Sequence, residues 1–146
     1  MRYRIISAIV IFSFVSVMVY LHHENSHYAG ADDHSHEAVE VPEGEAVPAI
    51  DGELRQDDRN HWLLILEVDN FSFTPEKAGS EKGSFQEGHA HLYVNGEKKG
   101  RIYSTYHDAG KLETGDVVQV FLTTNHHKML QRNGQDIFYE ERIEKE

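Results

Sequence analysis

From Ile5 to Leu21 the chain is apolar but for Ser7, Ser13 and Ser16, and Arg2 and Arg4 stand in front of this run. About 20 apolar residues cross a hydrocarbon core, while the apolar core of a signal peptide stops at roughly 15. The run falls between these lengths. Its one small-x-small cleavage match, Ala29-Gly30-Ala31, lies well beyond it. The pattern therefore predicts an uncleaved signal anchor over residues 1–21 rather than a cleaved signal peptide or a buried core helix. No Lys or Arg follows until Arg55, so the positive-inside rule puts the N-terminus in the cytoplasm. The expected location is a single-pass protein of the inner (cytoplasmic) membrane, with its C-terminal domain on the periplasmic or extracellular side.

Residues 22–50 change texture. They hold Glu24, Asp32, Asp33, Glu37, Glu40, Glu43 and Glu45, the histidines 22, 23, 27, 34 and 36, and Pro42 and Pro48. Apolar positions are few and aperiodic, so too little surface can be buried to offset ordering. A disordered acidic tether is expected here.

From residue 51 to 146 the pattern is that of strands. Trp62–Val68 is a nearly continuous apolar run, Phe71–Thr74 is cut short by Pro75, and Gly79, Gly83 and Gly88 mark a loop. His89–Val94 and Arg101–Tyr106 flank a turn at residues 95–100, and Val117–Thr124 is the strongest strand signal. Lys128–Gln131 and Asp136–Tyr139 face each other across Asn133-Gly134. Strands recurring at short intervals between turns predict an all-β domain, an antiparallel immunoglobulin- or cupredoxin-like β-sandwich of about seven strands. The aromatic residues alternate with aliphatics in these strands and are expected in its core.

Composition narrows the chemistry. The 146 residues carry 14 Lys and Arg against 25 Asp and Glu, a net charge of −11, which excludes a nucleic-acid backbone as partner. With no cysteine, disulfides, cysteine-ligated zinc, iron–sulfur clusters, blue copper and thiol catalysis are ruled out. No Gly-x-Ser-x-Gly or phosphate loop occurs, and the protein is not expected to be an enzyme. What stands out is histidine, 11 residues in all.

Alternation along a strand places His89, His91 and Tyr93 on one face and the apolar Ala90, Leu92 and Val94 on the other. The second set reads as the core side, leaving the histidines on the outer face or its rim. Imidazole is the commonest neutral metal ligand, and an i, i+2 pair on a strand can hold zinc or copper. If 89–94 and 101–106 pair through the turn, His107 falls level with Gly88 and gathers with Glu87, His89 and His91. His126 and His127 end the strongest strand, and one of them joins only if that strand lies beside His89. The competing reading is structural hydrogen bonding, for example to Asp108, and it outweighs a metal role for each of these histidine groups, most of all for His61. Met129 shares the face of His127 if the strand continues. A His-x-Met pair suits copper(I), but core filling is the preferred account of Met129. The histidines of residues 22–36 make a loose divalent-metal collector or a plain spacer in equal measure.

The stretch Glu87-Gly88-His89-Ala90-His91-Leu92-Tyr93-Val94-Asn95-Gly96, followed by Lys98, Gly100, Arg101 and Tyr103, resembles a group of small bacterial membrane-anchored, extracytoplasmic proteins over roughly residues 60–140. The resemblance implies anchored export and names no activity. A looser likeness, in architecture only, is to cupredoxin-like and copper-resistance periplasmic sandwiches, from which the chain departs in lacking the cysteine ligand. Together these readings predict a membrane-tethered extracytoplasmic domain that binds copper or zinc through His89, His91, His107, His126 and His127 and buffers or hands on the metal. The alternative is a metal-free envelope assembly module that meets a protein partner with its sheet face.

Overall fold

The computed structural model describes residues 2–29, 37–80 and 83–144, without the side chains of residues 2, 5, 8, 9 and 21–29. The chain divides into two compact units, Met1–Ser35 and His36–Glu146.

The first unit is one helix, α1 (Arg2–Ala29), of 28 residues. No glycine or proline interrupts it, and Val10, Ile11, Phe12 and Phe14 are all exposed on it. Among the described residues no helix is long and apolar enough to cross a membrane. The apolar run of the sequence also includes Ile5, Ala8, Ile9 and Leu21, whose side chains lie outside the description. The helix continues past Leu21 through His22, His23 and His27, where disorder was expected. Residues 30–36, with His34 and His36, lie outside the described residues.

In the second unit β strands form two sheets. The larger has eight strands. These are β1 (Ala38–Glu40), β4 (Ser72–Phe73), β5 (Glu87–Val94), β6 (Glu97–Ile102), β8 (Val117–Thr124), β9 (Met129–Arg132), β10 (Gln135–Asp136) and β11 (Phe138–Arg142). The smaller has three, β2 (Ala49–Gln56), β3 (Trp62–Asp69) and β7 (Tyr106–Gly110), in the order β2-β3-β7. The inner faces share one core. Leu54, Leu64 and Leu66 of the small sheet meet Ala90, Leu92, Val118, Val120, Leu122 and Leu130 of the large one. Period-two alternation supplies these contacts, and each buried Leu or Val contributes roughly 1.5–3 kcal/mol. Two sheets face each other as expected of a sandwich, but with more strands than the seven or so anticipated and not wholly antiparallel, because the short edge pieces β1 and β4 pair parallel to β9 and β5.

Both Asn-Gly pairs behave as two-residue hairpin turns. Asn95-Gly96 has φ of 54° and 79°, and Asn133-Gly134 has 54° and 72°, the left-handed pair that such turns require. The first turn sets Ala90 opposite Ile102 and His91 opposite Arg101. β6 then ends at Ile102, because β4 occupies the edge of β5 beyond that point, with Phe73 opposite Gly88 and the Thr74 amide donating to the Gly88 carbonyl at 2.9 Å. The chain crosses instead to the small sheet, where β7 pairs with β3.

The tether expected over 22–50 is corrected at its C-terminal end. β1 lies parallel to β9, Val39 opposite Leu130, and Val41 is 1% exposed. β2 already starts at Ala49, with Ile50, Gly52 and Leu54 turned inward while Asp51, Glu53 and Arg55 face out. Isolated apolar residues were too sparse to signal burial; partner strands distant in sequence supply it. A chain starting at residue 37 is thus expected to unfold at clearly higher urea concentration than one starting at residue 51, which lacks β1, Val41 and the start of β2. Equal midpoints would refute the structural role given to residues 37–50.

Candidate metal centre

The large sheet places β8 beside β5, with His89 opposite Thr123 and His91 opposite Phe121. This meets the condition under which a histidine at the end of β8 can join the pair. Residues 125–128 turn back over the outer face, the His127 amide donating to the Thr124 carbonyl at 3.0 Å. His127 itself has a left-handed φ of 61°, a conformation that costs a non-glycine residue roughly 1–2 kcal/mol. In exchange its ring comes over the pair, with centroids 5.1 Å from His89 and 6.2 Å from His91.

His89, His91 and His127 each offer one ligand atom, and these atoms lie within 4.8 Å of one another. The Nε2 atoms of His89 and His91 are 2.9 Å apart, one ring donating to the other. Three nitrogens on a tetrahedral ion at about 2.0–2.1 Å stand ~3.3 Å from each other. The His89–His91 spacing is slightly below that value and the widest spacing above it, so small ring rotations suffice to close the set.

The site is buried, which corrects the expected rim position. His89 is 1% and His91 0% exposed. The outer face is covered there by His127 and by Tyr103, whose ring centroid lies 5.2 Å from His89. Burial pushes the His89 imidazolium down to about 4, helped by the positive charges of His127, Arg101 and Lys98. At neutral pH the ring is therefore uncharged, the form in which imidazole ligates a metal. His89 Nδ1 is buried and has no hydrogen-bond partner among the described residues.

Two features hold the geometry. A Cβ at Gly88 would come 2.0 Å from the Thr123 carbonyl oxygen, so only glycine lets β5 and β8 approach beside His89. Asn125, 1% exposed, donates from Nδ2 to Thr74 Oγ1 at 3.0 Å, pinning the turn that carries His127 to the chain leading out of β4.

The other expected ligands are elsewhere. His107 lies on β7 opposite Leu64 of β3, in the other sheet, because β4 diverts the chain after Ile102. Burial lowers its imidazolium, opposed by Asp108. His126 is exposed and outside the cluster. Glu87 is held by Lys77 Nζ at 2.7 and 2.9 Å. His61 Nδ1 stands 3.7 Å from Asp108 Oδ2, a structural pairing of the kind anticipated. Compared with protein-family models, curated proteins and solved structures, the chain finds no match in any of the three.

Gly88→Ala is expected to destabilise the domain and shift the imidazole NMR signals of both His89 and His91, since the strands must part. Unchanged signals would show that the strand approach does not set the site. His127→Gly relieves the left-handed strain. It should leave the metal-free unfolding free energy equal or higher, by up to ~1 kcal/mol, whereas Asn125→Ala should lower it by roughly 1 kcal/mol or more for the lost buried hydrogen bond. Chemical denaturation of both variants checks this opposition.

Proposed function

We propose that the protein is a membrane-tethered, extracytoplasmic β-sandwich that binds a transition metal, copper or zinc, at His89, His91 and His127 and buffers it or passes it on. The observation that carries this reading is the convergence of three imidazoles from two separate chain segments, β5 and the turn after β8, in a buried place. A core under no functional demand would hold apolar residues there, since a buried ring nitrogen without a partner costs roughly 1–3 kcal/mol. Three imidazole nitrogens suit copper and zinc and do not suit the oxygen-seeking calcium or magnesium. No enzymatic step belongs to the proposal. The immunoglobulin- or cupredoxin-like likeness is architectural and assigns no ligand.

The tethering part rests on the apolar run Ile5–Leu21 behind Arg2 and Arg4 and on the exposed apolar side chains of α1. It implies that the chain stays with membranes after alkaline extraction, with its C-terminal unit open to protease from the outer side. A second reading, a protein-docking sheet face, is favoured by one feature. Phe138 is 43% exposed and stacks on Phe121 with centroids 4.9 Å apart, on the same outer face as the histidines.

Calorimetric titration of the full chain with Cu(I), Cu(II) and Zn(II) is expected to give one site of micromolar affinity or tighter. That site should be lost in both His89→Ala and His127→Ala and kept in His107→Ala and His126→Ala. Binding weaker than micromolar, or binding that survives His89→Ala and His127→Ala, would overturn the metal reading and leave the docking face.

A further inference from the structure

Met129 was expected to fill the core, and the strand register places it on the other side of the sheet. Its neighbour Leu130 is fully buried and belongs to the core cluster, whereas Met129 is half-buried and is neither in that cluster nor packed against it. Alternation turns Met129 to the outer face. There it stands opposite Thr123 of β8, and Thr123 in turn stands opposite His89 of β5. Met129, Thr123 and His89 thus form one cross-strand row, and paired residues share a face. The roots of Met129 and His89 are two strand spacings apart, ~10 Å, and the ring of His127, two residues before Met129 in the chain, lies 5.1 Å from that of His89. A flexible methionine and an imidazole reaching toward each other bridge that span.

We infer that the metal held by this site is copper(I), bound by the imidazoles of His89, His91 and His127 and by the thioether of Met129 as fourth donor. This deepens the metal reading above and rests on it. Two independent observations favour a soft monovalent ion. The first is the donor set: a thioether is a soft ligand that selects copper(I), while zinc draws on imidazole, carboxylate and thiolate. The second is charge. Across the β5–β6 ladder Arg101 stands opposite His91 and Lys98 opposite Tyr93, on the outer face that carries the cluster. The carboxylate next along the strand of His89, Glu87, is engaged by Lys77 at 2.7 and 2.9 Å, and the group of ligand atoms contains no carboxylate. A dication in such surroundings meets twice the repulsion that a monocation meets, without an anionic ligand to offset it.

The full-length chain is loaded anaerobically with Cu(I) against a chromophoric Cu(I) chelator, and in parallel with Zn(II) against a zinc indicator. The variants are Met129→Leu, which nearly conserves volume, and His89→Ala. Wild type is expected to show a sulfur scatterer at copper by X-ray absorption, which Met129→Leu removes. The same variant should weaken Cu(I) by at least the ~10-fold that even an outer contact of a metal site is worth, and leave Zn(II) affinity unchanged. A thermal melt of Met129→Leu close to wild type is expected, and the missing sulfur signal is read on the folded protein.

If Met129→Leu matches wild type in Cu(I) affinity and no sulfur lies at the copper, while His89→Ala still loses the metal, the copper(I) assignment is overturned and the histidine site stands. If Met129→Leu weakens Cu(I) and Zn(II) equally, the assignment is likewise overturned. If His89→Ala keeps both metals, the parent reading fails with it.

Discussion

The ladder between β5 and β8 decides where the histidines meet. Its register sets His89 against Thr123, and the turn beyond Thr124 then carries His127 back over the same face. Backbone hydrogen bonding makes that register a matter of whole steps, so a slip by one residue would send both β5 histidines into the core face and Ala90 and Leu92 out of it. The apolar inner row, Ala90, Leu92 and Val94 against Val118, Val120 and Leu122, is what forbids such a slip. The core therefore positions the site indirectly, by making every other register expensive.

Burial of the imidazoles follows from the same arrangement and runs against stability. Ring nitrogens are desolvated, His89 Nδ1 has no hydrogen-bond partner among the described residues, and His127 holds a backbone conformation that glycine or asparagine would adopt more readily. Local choices that disagree with the lowest-energy packing cluster where a protein does something. Here they fall within one small patch of the outer face. Elsewhere the left-handed φ values belong to asparagine and glycine, the residues suited to them.

Much of the strand pattern was legible from alternation alone. Val117–Thr124 is a strand over that same range, the Asn133-Gly134 turn stands where expected, and His89 and His91 share a face, whereas the turn expected over 95–100 closes at Asn95-Gly96 and β6 already runs over 97–102. The misreadings have a common origin in pairing between distant segments. His107 was placed beside His89 by extending β6 past Ile102, and nothing local reveals that β4 already holds that edge. His126 and His127 could not be told apart, because a tight turn after Thr124 decides which ring swings over the sheet. Met129 looked like core because methionine usually is, although its place next to Leu130 in an alternating strand pointed outward. The sparse apolar positions 39, 41, 50 and 54 needed partners to show that they are buried or packed against the core.

β1 joins the chain to the sheet as a strand only three residues long, laid parallel to β9 and opposite Met129, Leu130 and Gln131. Lys128 is also held by Glu37, at 2.7 Å between Nζ and Oε2. Any mechanical load arriving along the backbone from residues before 37 is therefore borne first by this short seam. That seam borders the segment from His127 to Met129. A pull on the leading end of the unit would be felt at the rim of the histidine cluster before it reached the hydrophobic interior, so tension is a physical input to which this site is exposed by its connectivity.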